Sequence, residues 1–165
     1  MAPITPSTQD DLMTAYREGL FSDEELLAAA GDDFEALVEK SPETAIRVAD
    51  ALSGVRIYVP KRLTEDCRIN EFVNEADAQI VISVYPTELI CVPRFMPLRR
   101  KIRNRRIAGL HAAGWMPSEL AMHFQLTERQ IFAILHRCRQ EPPVRSSTMA
   151  NPTDRNEPTR PVVGR

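Results

Sequence analysis

The sequence predicts a mainly α-helical protein with a short β element, and three observations carry that prediction. Apolar residues recur at helical spacing behind recognisable N-caps, first in the front third of the chain and again near its end. Two similar β-branched runs, V-R-I-Y-V-P at 55–60 and E-L-I-C-V-P at 88–93, lie between those regions. Trp115 to His136 then places apolar residues where two short helices joined by a tight turn would bury against each other. The expected organisation is an acidic helical region at 1–54 and a strand, helix and strand linker at 55–97. A three-helix unit at 98–140 and a tail at 141–165 follow.

In chain order, Leu12, Tyr16 and Leu20 recur every four residues, and Ser22 with Glu25 forms a capping box ahead of Leu26 and Leu27. Gly31 ends that helix. Phe34, Leu37 and Val38 make a further stripe. Ser41 followed by Pro42 reads as an N-cap with proline at the first helical position, and Ala45, Ile46, Ala49 and Leu52 carry the apolar face until Gly54. Stripes this short are not stable alone, so they must dock on the rest of the chain or on a second copy.

Ile57, Val59 and Pro60 correspond to Ile90, Val92 and Pro93, thirty-three residues later, as two strands of similar role. Between them, 67–73 fits one or two helical turns. The segment 75–85 admits two readings. Ile80, Val81, Ile82 and Val84 suit a strand, whereas Asn74 as N-cap and the shared face of Ala76, Ile80, Val81, Val84 and Tyr85 suit a helix. The helix is favoured, giving a small β-α-β arrangement.

Pro93 and Pro97 mark the hinge into a basic helix from about Leu98 to Ala113, ended by Gly114. In the unit that follows, Leu120, Ala121 and Phe124 share one helix face, Leu126 fills the turn, and Ile131, Ile134 and Leu135 line the inner face of the next helix. Ala121 keeps the crossing close. Thr127 with Gln130 is a capping box. Gln125 stands at the turn position that usually takes glycine, so it must adopt positive φ at some steric cost. Ile107 and Leu110 are expected to complete this helix-turn-helix core, with Trp115 at its edge. After Gln140 the chain carries five prolines in twenty-five residues and few large apolar side chains, and this tail is expected to be disordered.

Charge divides the chain more sharply than its total of −2 suggests. Residues 1–93 hold 7 Lys and Arg against 18 Asp and Glu, a net of −11, and 94–145 hold 11 against 3, a net of +8. Seven of those cations, from Arg94 to Arg106, fall in thirteen residues without one acid. An unbalanced block of this kind is an electrostatic footprint for phosphate. The acidic front would be repelled by a duplex and should face itself or another protein.

Several classes are set aside. No run of about eighteen apolar residues is present to span a bilayer, and M-A-P-I-T-P lacks the features of a signal peptide, so a cytoplasmic, nucleoid-associated protein without membrane partner is expected. Cys67, Cys91 and Cys138 form no C-x-x-C pair and are expected to be reduced packing residues. His111, His123 and His136 lack ligand spacing, so neither metal nor cofactor is expected. No enzyme is expected either. A serine recombinase would need a longer front half, and Ser22, Ser41 and Ser53 sit in cap positions with no arginine cluster beside them.

What remains is a sequence-specific reader of double-stranded DNA. If the second helix enters the major groove N-terminus first, its base-contact candidates are Thr127, Glu128, Arg129, Gln130, Ala133 and His136. Arg129 suits bidentate reading of guanine, and Gln130 of adenine. Phe132 suits either a sugar or thymine methyl contact or packing on the preceding helix. Arg99, Arg100, Lys101, Arg103, Arg105, Arg106 and Arg137 are the phosphate-contact candidates, with pairing of some of them to the acidic half as the alternative. A protein-only adaptor, whose basic helix binds an acidic partner, is the competing class.

The order of parts resembles the Mor and C transcription activators of Mu-like phages and their prophage relatives. The resemblance rests on R-I-Y-V-P-K-R at 56–62, the arginine-rich lead into R-R-I-A-G-L-H-A-A-G at 105–114, and S-E-L-A-M-H-F-Q-L-T-E-R-Q-I-F-A-I-L at 118–135. It spans about half the chain. It implies an intertwined homodimer built on N-terminal helices, a strand linker, and paired helix-turn-helix units on a promoter. It also implies recruitment of host RNA polymerase through its alpha C-terminal domain and its principal sigma factor. The shortest family members lack a second run like L-I-C-V-P-R and the residues before it. A repressor or excision regulator would use the same DNA-binding unit.

Overall fold

The computed structural model describes residues 11–64 and 67–140. The expected disordered tail at 141–165 lies outside them. The described chain is mainly helical with one short sheet. Its order is α1 (Leu12–Arg17), α2 (Asp23–Ala30), α3 (Asp32–Lys40), α4 (Pro42–Leu52), β1 (Arg56–Tyr58), a 3-10 turn (Arg68–Glu71), α5 (Glu75–Val84), β2 (Leu89–Cys91), α6 (Met96–Ala112), α7 (Pro117–Phe124) and α8 (Glu128–Cys138).

Local chemistry sets most of these boundaries. Ser22 and Glu25 close a reciprocal capping box on α2. The Ser41 hydroxyl accepts from the Thr44 amide with Pro42 opening α4, and Asn74 accepts from the Asp77 amide at the start of α5. Each satisfies a backbone donor that a helix leaves orphaned. The segment 75–85 is therefore the favoured helix. Its buried face differs from the expected one: Ala76 is exposed, and Asp77, Ala78, Val81 and Tyr85 are buried. Asp77 tolerates burial because it is fully partnered. It accepts from Arg47 Nε at 2.6 Å and Nη2 at 2.8 Å, from Thr44 Oγ1 at 2.7 Å and from Asn74 Nδ2 at 2.8 Å. Burial alone would raise its pKa, but these donors, Arg47 foremost, hold it below the ordinary value.

The first apolar stripe is shorter than its four-residue spacing suggested. Helix α1 ends at Arg17 and Gly19 turns the chain with φ of 69°, so Leu20 joins the core from outside the helix. The two β runs pair antiparallel, with Ile57 opposite Ile90 and Tyr58 opposite Leu89. Of the pairs matched by sequence only Ile57 and Ile90 face each other across the ladder; the antiparallel register sets Val59 against Glu88 and Val92 against Val55.

Two apolar clusters organise the chain. The larger gathers Leu12, Leu26, Phe34, Leu37, Ile46 and Val81 with the strand residues, and it takes in Leu98 and Ile102 from α6. The smaller joins Ile107 of α6 to Leu120, Ala121, Ile131, Ile134 and Leu135. Helix α6 consequently serves both clusters, so the expected boundary at residue 98 falls within a helix half committed to the front of the chain. The front stripes close on one another within one chain. Cys67 and Cys138 are partly buried, but Cys91 is exposed on the sheet and has no packing role of the kind expected for it.

Candidate nucleic-acid interface

The candidate interface is built on α6, α7 and α8. Gln125 ends α7 in the left-handed region, with φ 53° and ψ 45°. The turn places Leu126 against the small cluster, and the Leu126 amide donates to the Ala121 carbonyl at 2.9 Å. Ala121 is buried at the crossing. Ile131 is fully buried and Ile134 and Leu135 nearly so, which fixes the rotation of α8 and turns its opposite side outward. Leu110 packs at the margin, and Trp115 remains 38% exposed, edge-on to His123 with ring centroids 5.5 Å apart.

Every base-contact candidate lies on the exposed side. Thr127, Glu128, Arg129, Gln130, Ala133 and His136 are all exposed, as are Arg137 and Arg139. Among the described residues, Arg129, Arg137 and Arg139 form no ion pair. Two of the candidates are nevertheless already occupied. Gln130 Oε1 accepts from the Thr127 amide at 2.9 Å and from Thr127 Oγ1 at 3.1 Å, while Thr127 Oγ1 accepts from the Gln130 amide. A bidentate contact with adenine needs that same Oε1 as acceptor, so the capping box and the proposed reading compete for one atom. Phe132 lies largely on the exposed side as well. It is 57% exposed and belongs to neither apolar cluster.

The phosphate candidates divide into two sets. Lys101 Nζ lies 2.6 Å from Glu25 Oε1, and Arg105 meets both Glu25 oxygens at 2.7 and 2.8 Å while donating to the Leu20 carbonyl at 2.7 Å. Arg106 pairs with Glu18 at 3.2 Å and Arg99 with Asp50 at 2.9 Å. These contacts join residues about fifty to ninety positions apart in sequence, and they dock the basic helix on the acidic front. Glu25 is the hub. The Arg105 guanidinium beside it, helped by Lys101 and the Ser22 amide, holds its pKa down at about 2 against the opposing effect of burial. Asp50 behaves oppositely: burial and the neighbouring Asp11 carboxyl push it up to about 6 despite Arg99. Arg100 is exposed and Arg103 half-buried; among the described residues neither makes an ion pair, and Arg137 stands on α8 with Arg139 beyond it. Arg139 was not among the sequence candidates, though its exposed place after α8 could have suggested it.

No cluster of His, Cys, Asp and Glu that could hold a metal occurs among the described residues. No described helix is long and apolar enough to cross a membrane. Compared with protein-family models, with curated proteins and with solved structures, the chain finds no match.

Proposed function

We propose that this chain is a sequence-specific DNA-binding transcription regulator in which α6, α7 and α8 form a helix-turn-helix domain and α8 is the recognition helix. The observation that carries the reading is the two-sidedness of α8. One side is sealed against α6 and α7, and the other is exposed and presents Arg129, Ala133, His136 and Arg137 on successive turns. The capping interaction leaves Arg129 as the principal reader of base edges. Arg100, Arg103 and Arg137 are the phosphate contacts, because Arg99, Lys101, Arg105 and Arg106 spend their charge on Asp50, Glu18 and Glu25. That internal use of the basic helix also counts against a protein-only adaptor that would need the same cations for an acidic partner.

Resemblance to the Mor and C activators supports a phage or prophage activator acting as a homodimer in the cytoplasm of a bacterial host. Its further partner is host RNA polymerase. Because the front stripes are already buried in one chain, pairing without exchange of helices must use other surface.

Binding of the full chain to duplex DNA across a salt series tests the proposal. Log affinity should fall with log salt at a slope of about −3 per protomer, that of three phosphate contacts, where seven would give about −6. No binding to any duplex at low salt overturns the reading.

A further inference from the structure

We infer that Phe132 and Ala133 read the C5-methyl of a thymine next to the base contacted by Arg129, so that a thymine methyl is part of the recognised sequence. This inference rests on the DNA-binding reading above and specifies what the recognition helix selects. Phe132 is a large apolar residue left 57% exposed at the middle of α8. Among the described residues it stacks on no other ring. Three residues separate it from Arg129, about 4.5 Å along the helix, so the two side chains fall within reach of neighbouring base pairs. Ala133, exposed one helical turn after Arg129 on the same face, is small enough to leave room for a methyl group beside that contact. Arg129, His136 and Arg137 surround the pair with groups suited to a polyanion rather than to an apolar protein surface.

The capping box adds support by elimination. Besides the thymine O4 acceptor, an A·T pair offers the major groove two features: first the adenine N6 and N7 edge, and second the thymine methyl. Gln130 would need Oε1 for the first, and that atom is held by Thr127. The second needs only apolar contact, which Phe132 and Ala133 supply.

The test begins with selection of bound sequences from random duplex by the full chain. Each thymine of the selected site is then replaced singly by deoxyuridine, which removes the methyl and leaves base pairing intact. At one position adjacent to a guanine, wild-type affinity should fall about fourfold, equivalent to ~0.8 kcal/mol for one buried methyl. Phe132→Ala should bind the thymine duplex more weakly by a similar factor and should not distinguish thymine from deoxyuridine. If the wild type binds its selected site and no single deoxyuridine matters, the inference fails while the DNA-binding reading stands. It fails in the same way if Phe132→Ala still discriminates against deoxyuridine. Failure to select any sequence overturns both.

Discussion

Replacing Glu25 by glutamine removes one negative charge from the hub that fastens α6 to the front of the chain, while leaving an amide oxygen to cap α2. The carboxyl titrates near about 2 in the folded chain against an ordinary value of 4.5, and at ~1.4 kcal/mol per pH unit the difference sets a ceiling of roughly 3 kcal/mol. Arg105 and Glu25 side chains are 16% and 21% exposed, but Lys101 is 39% exposed, so solvent screens part of that interaction. Glu25→Gln should therefore lower unfolding free energy at pH 7 by ~1–2.5 kcal/mol, measured by urea denaturation. The sign of the pH dependence follows from the depressed pKa. The stabilisation is fully present above pH 4.5 and is lost as pH falls towards 2, with roughly two-fifths remaining at pH 3. The gap between wild type and Glu25→Gln must shrink to that proportion. A gap below ~0.3 kcal/mol at pH 7, or one that is equal at pH 7 and pH 3, would refute the assignment of Glu25 as a clamp.

Three further outcomes are expected. Asp50, raised to about 6 by burial and by Asp11, contributes most below pH 3.8 and loses that contribution as pH rises through 6. Asp50→Asn should remove a decline of ~1–2 kcal/mol from the urea stability profile between pH 4 and 7, and an unchanged profile would contradict this. Gln125→Gly should stabilise the chain by ~0.5–1 kcal/mol in thermal and urea unfolding, since Gln125 is exposed and held at φ 53°; destabilisation would mean its side chain matters. Arg129→Ala should flatten base preference at one position by ~1–3 kcal/mol, whereas Arg137→Ala should weaken all duplexes alike and reduce the salt slope by about 1. The reverse pattern in competition binding would place α8 backwards in the groove.

Features governed by neighbours in sequence were legible, and features governed by distant contacts were not. The capping boxes at Ser22 and Thr127, the N-caps at Ser41 and Asn74, and the positive φ of Gln125 all depend on residues within one helical turn. The apolar periods of α3, α4 and α8 pointed to the buried faces for the same reason. Leu20 and Ala76 misled because a period of four says nothing of where Gly19 breaks the helix or of an arginine thirty residues upstream that solvates Asp77. For the candidate site, a block of cations looks alike whether phosphate or carboxylate answers it. Only the packing of α2 on α6 reveals that Glu25 answers Lys101 and Arg105. Gln130 fitted both a cap and a candidate base reader in the sequence; the structure shows the cap, and nothing in the residue order ranks the two uses of one oxygen. Phe95 was not legible at all. It enters α6 with φ 53°, a strained bulky residue kept there by burial against Phe34, with ring centroids 6.1 Å apart.

The sharing of α6 between both apolar clusters makes it a stiff axle of about 25 Å, seated at each end and lacking a hinge between them. A module on a flexible tether can search for its site and adapt to variable spacing. One mounted on an axle takes its bearing from the body. Two copies joined through their front halves would hold their α8 helices at one separation and one angle, and inserting a single base pair between half-sites would then turn one of them about a tenth of a revolution out of phase.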